Sequence, residues 1–79
     1  SRMTESGNVK IENARYKYGK VYLKVPANRS HKGKVTVIVQ GVSREYFALT
    51  DSEEIPTGAP IQIIDIIDDE TVLVALNKD

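Results

Sequence analysis

Residues 34–40, KVTVIVQ, put Val35, Val37 and Val39 on one face and Lys34, Thr36, Ile38 and Gln40 on the other. Successive side chains of a strand point to opposite faces, so this period of two reads as strand. Val21, Leu23 and Val25 alternate with Tyr22 and Lys24 in the same way, and Pro26 ends that run because proline cannot donate to a ladder. The first strand extends back through ARYKYGK, bent at Gly19, and PANRSHKG (26–33) is turn chemistry. No stretch sustains a period of 3.6, so little helix is available to cover sheet edges. Closing the sheet removes those edges. The expected fold is all-β, a small five-stranded OB-type barrel, with an SH3-like barrel as the alternative.

The remaining strands follow from the same pattern. Gly41 interrupts the second strand, and a third covers roughly Glu45–Thr50. Its more apolar face, Phe47 and Leu49, is expected inward, with Tyr46, Ala48 and Thr50 outward. TDSEEIPTGAP reads as a loop. In IQIIDIID the apolar parity slips, which predicts a bulge near Ile63–Ile64. Asp68–Glu70 turns the chain into a fifth strand, Val72–Leu76. The predicted core is Val21, Leu23, Val25, Val35, Val37, Val39, Phe47, Leu49, Ile61, Ile63, Ile66, Val72, Val74 and Leu76. Residues 1–8, polar and small, read as a linker or expression remnant, and 9–79 as the barrel domain.

Composition narrows the chemistry. The 79 residues contain no cysteine and one histidine, which excludes disulfides and thiolate metal sites and argues against a histidine-based zinc site. No apolar run approaches the roughly 18–20 residues of a membrane span. Ser30 and His31 are adjacent on a turn with no third group to orient the imidazole, so no catalytic role is assigned and the chain is read as a non-enzyme. Asp65, Asp68, Asp69 and Glu70 lack the spacing and glycine of a calcium loop and read as a solvated turn. Gly33, Gly41 and Gly58 are too widely spaced for a phosphate cradle and read as backbone devices. No metal or cofactor is expected.

The net charge of zero hides a division. Residues 1–44 carry ten Lys/Arg against Glu5 and Glu12, whereas residues 45–79 carry Lys78 against nine acids. Two readings stand: a basic face for an anionic partner, or halves that interleave and attract across strands. Parity also places Tyr22 outward with Lys20 and Lys24, Tyr18 and Tyr16 with them, and Ile38 and Tyr46 on the next two strands. The candidate partner-binding face is Tyr18, Tyr22, Lys24, Ile38 and Tyr46. It suits a protein contact or base stacking by an oligonucleotide; alternatively the rings only cover the rim. The neutral overall charge weighs against nucleic acid.

From Gly33 to Leu76 the chain resembles the C-terminal soluble domain of the NfeD family. The resemblance is carried by GKVTVIVQG, then REYFALTD, then the glycine-led segment Gly58-Ala59-Pro60-Ile61-Gln62-Ile63-Ile64-Asp65-Ile66, then TVLVAL. It is greatest to the short, membrane-anchored, flotillin-associated members. The first strand departs from the common family form, because its turn is Val25-Pro26-Ala27-Asn28. The resemblance implies an OB-type barrel hung from upstream transmembrane helices at the cell membrane, with this domain cytoplasmic. It implies protein partners of the flotillin and stomatin type. Self-association is left open.

Overall fold

The computed structural model describes residues 10–78; the linker expected over 1–8 lies outside them. Five strands form the fold: β1 (Tyr18–Leu23), β2 (Gly33–Val39), β3 (Val42–Leu49), β4 (Pro60–Ile66) and β5 (Thr71–Leu76). They close into a barrel in the order β1-β2-β3-β5-β4. Every pairing is antiparallel except β3 with β5, which is parallel. That topology is the OB-type barrel.

Val21, Val35, Val37, Val39, Ile61, Ile63, Val72 and Val74 point inward and are buried, as their alternation predicts. The β4 bulge is also present: Ile63 pairs with Val74 and Asp65 with Leu73, so β4 carries an extra residue there. The core takes in residues that no strand pattern marks. Ile55, in the β3–β4 loop, exchanges both backbone hydrogen bonds with Val25 (2.9 and 3.0 Å) and packs beside the end of β1. Ile11 and Ala14, in a short 3-10 turn (Ile11–Ala14), join the core beside its start.

Three expected core residues are exposed instead: Leu23, Phe47 and Leu76, while Leu49 and Ile66 are only partly buried. Each has a local cause. Val39 pairs with Val42 across the two-residue turn Gln40–Gly41, both residues at positive φ (53° and 79°), as a type I′ hairpin requires. Directly opposite residues share a face, so Tyr46 follows Val35 inward and Phe47 follows Lys34 outward. The third strand is therefore inverted from its expected orientation: Ala48 and Thr50 are buried, and Phe47 faces solvent. On β1, Val21 pairs with Val35 but Leu23 pairs with Lys34, two steps against one. That bulge turns Leu23 onto the outward face of Lys34. Leu76 lies at the barrel mouth, where Thr50, Ile55 and Ala75 line an open groove with it.

Ion pairs join the basic half to the acidic half among the described residues, including Arg15 to Asp65 at 2.6 Å and Arg29 to Asp51. The halves interleave, and part of the charge division is used within the barrel. The carboxyl of Asp65 is held below its usual range first by the backbone N–H of Ile66 and then by Arg15. Asp51 is lowered chiefly by its hydrogen bond from Arg29, and Asp68 by the backbone N–H of Glu70. A folded-state pKa below the unfolded value adds stability that is complete above the unfolded value and is lost as pH falls through the folded one. All three groups are solvent-exposed, so the effect is modest. Thermal melts at descending pH should stay level down to the ordinary carboxylate range and decline below it, and Asp65→Asn should flatten the decline. An identical acid limb in Asp65→Asn would remove Asp65 from this account.

Candidate docking face

The outer surface of β1, β2 and β3 is assembled row by row from the register. Leu23, Lys34 and Phe47 lie side by side across the three strands, and Lys20, Thr36 and Glu45 form the next row. Ile38 sits opposite Ser43, and Tyr18 faces Gln62 of β4 on its other flank. Tyr18, Tyr22 and Ile38 are each about 60% exposed (61, 60 and 59%), and Lys24 is exposed beside them. The structure thus brings Tyr18, Tyr22 and Ile38, three of the five expected face residues, to one surface, and Lys24 is exposed just past the end of β1. Leu23 (53% exposed) and Phe47 (36%) belong with them. Sequence reasoning assigned both to the core. The two-residue turn was the signal for Phe47, whereas the β1 bulge that turns Leu23 outward leaves none in the sequence.

Tyr46 is the exception among the five. Its parity is inward, it is partly buried against the core, and it lines a recess with Lys34 and Phe47 of the outer face and the acids Glu45, Asp69 and Glu70. Burial raises its phenol pKa above the ordinary value, with Arg44 pulling the other way.

Lysine charge surrounds the exposed rings. The ammonium groups of Lys32 and Lys34 lie 5.3 and 5.4 Å from the centroid of Phe47, within cation–π range. Between Glu12 and Glu45 the sequence has no acid and eight Lys/Arg, of which Arg15 and Arg29 are already in ion pairs. The acidic residues gather at the opposite end of the sequence and make their own turn. Asp68 Oδ1 accepts the Glu70 N–H at 2.9 Å, and Asp65 Oδ1 accepts the Ile66 N–H at 2.8 Å. The outer face thus carries exposed rings and aliphatic side chains laced with lysine.

No protein-family model matches the chain, and no curated relative matches it either. Solved structures do. The soluble domain of the NfeD protein YuaF from Bacillus subtilis aligns with a TM-score of 0.70 over 86% of this chain and 80% of that one, at 24% identity. The fold is that of an NfeD soluble domain. The C-terminal domain of a stomatin operon partner protein from Pyrococcus horikoshii also aligns, with a TM-score of 0.65 over 91% of this chain and 98% of that one, at 20% identity. No helix among the described residues is long and apolar enough to cross a membrane.

Proposed function

We propose that this barrel is a non-enzymatic protein-interaction module of a membrane-anchored NfeD-like protein, presented to the cytoplasm and docking on stomatin- or flotillin-type membrane scaffolds. The observation that carries the reading is the apolar surplus on the outer face. Tyr18, Tyr22, Leu23 and Ile38 are all more than half exposed and lie outside the barrel core. A closed barrel needs only its inner face to fold, so these side chains are available to a partner. The partner class is drawn from the stomatin operon partner protein that shares the fold. The Lys–Tyr interleaving on β1 supports a second reading, a single-stranded oligonucleotide site, in which rings stack bases and lysines meet phosphates.

Parallel titrations separate the two. The 79-residue chain, Tyr22→Ala and Lys24→Ala are titrated with a purified stomatin-type scaffold protein and with single-stranded DNA at several salt concentrations. The docking reading expects scaffold binding that Tyr22→Ala weakens by about 2 kcal/mol or more and Lys24→Ala weakens less. Micromolar DNA binding that falls steeply with salt, without scaffold binding, would replace it with the second reading.

A further inference from the structure

Among the described residues, four non-glycine residues hold a positive φ: Tyr16, Asn28, Arg29 and Gln40. Three have local reasons. Gln40 belongs to the hairpin turn, and asparagine tolerates the left-handed region. Arg29 donates its N–H to the Thr50 carbonyl at 2.8 Å and its guanidinium to Asp51. Tyr16 (φ 69°) has no such reason in its side chain. The left-handed region disfavours a bulky aromatic residue.

The backbone needs that conformation and is fixed in it from both sides. The Tyr16 N–H donates to the Ile63 carbonyl at 2.7 Å, and the Ile63 N–H donates to the Lys17 carbonyl at 2.9 Å. The bend takes the chain from the 3-10 turn into β1, and glycine would make it with less strain. Yet the position carries a tyrosine that is 63% exposed and lies outside the core. A costly conformation kept with a ring that does little for folding points to use of the ring elsewhere. Its position shows where. Gln62, opposite Tyr18 on the outer face, donates its Nε2 to the Tyr16 carbonyl at 3.1 Å. Residue 16 therefore stands at the β4 margin of the docking face, beside Tyr18.

We infer that Tyr16 contacts the partner, as the third ring of a ridge formed with Tyr18 and Tyr22, and that the surface received there is a protein surface bearing carboxylates. The partner's charge follows from the exposed Lys17, Lys20 and Lys24, which alternate with the rings along the chain and outnumber Glu45, the acid in the Lys20–Thr36 row. This rests on the docking reading above and extends its site beyond β1.

The test is Tyr16→Gly beside Tyr16→Phe, each followed by thermal melting and by titration with the stomatin-type scaffold protein. Tyr16→Gly should melt about 4 °C or more above the parent, because the strain is relieved. It should also bind about 10-fold more weakly. Tyr16→Phe should match the parent in melting and bind within about 3-fold, since ring and strain are both kept. Unchanged scaffold binding by Tyr16→Gly overturns the inference and leaves the docking reading in place. A lower melting temperature in Tyr16→Gly overturns it too, by showing that the ring stabilises the fold. No scaffold binding by the parent chain removes the docking reading and the inference together.

Discussion

Gly33→Ala should destabilise the barrel by about 3 kcal/mol or more. Total stability for a chain of this length is on the order of 4–12 kcal/mol, so the variant should lose about a quarter to three quarters of it. A Cβ on Gly33 would stand 2.3 Å from the Lys24 carbonyl oxygen and 2.5 Å from that of Leu23. Both atoms are backbone, so no side chain can rotate aside. Relief requires moving the β1 bulge away from the start of β2, which undoes the Leu23–Lys34 register. Gly41→Ala provides the contrast. Its Cβ would meet nothing within 4 Å, and only the positive φ of 79° opposes it. That substitution should cost about 1 kcal/mol. Urea titration of both variants checks the pair, and Gly33→Ala within about 1 kcal/mol of the parent would show that the close approach is not tight.

The second large effect separates the barrel's inner face from its outer one. Ile63 is fully buried between β1, β5 and the Ile11–Ala14 turn, and Ile63→Ala should cost about 2–5 kcal/mol from lost transfer energy and the cavity left behind. Leu23→Ala should cost less than about 1 kcal/mol, and Phe47→Ala, whose ring is mostly covered at 36% exposure, about 1–2 kcal/mol, although both are large apolar residues on strands. Phe47→Ala also removes the ring beneath Lys32 and Lys34, an exposed contact of about 0.5–1 kcal/mol. Chemical denaturation of the three variants checks this. A loss above about 2 kcal/mol in Leu23→Ala would restore that residue to the core.

The contrast also marks where sequence reasoning succeeds. KVTVIV is read correctly because its valines alternate without interruption and their partners lie on both sides of one continuous strand. REYFAL misleads because its two faces are similar in apolar content. Its orientation is decided outside the strand, by a turn of two residues that ties Val42 to Val39. Leu23 misleads for a related reason: a bulge on β1 changes parity without leaving a mark on composition. The slip in IQIIDI, by contrast, places isoleucines on both faces and so reveals its bulge. Ile11, Ala14 and Ile55 enter the core from turns and loops, where periodicity carries no information; a lone isoleucine in the polar run SEEIPTG was the available clue. For the candidate face, Tyr18 and Ile38 sit on stretches of strand whose parity is plain, while Tyr22 lies at the β1 bulge and Lys24 just past the end of β1. Tyr46 shares the inverted orientation of β3 and moves inward with it.

The parallel β3–β5 seam has a consequence for how any partner can be recognised. Because it joins the two strands that an open sheet would leave at its margins, every strand has neighbours on both sides. The seam pairs Phe47–Leu49 with Thr71–Leu73, so along that stretch no edge is left to which a partner could add a strand of its own. Recognition there is left to side chains projecting from a rigid wall. Such a surface can exchange one partner for another by substitution at a few outward positions while the inner valines and isoleucines stay unchanged. The scaffold and what it reads are thereby separable.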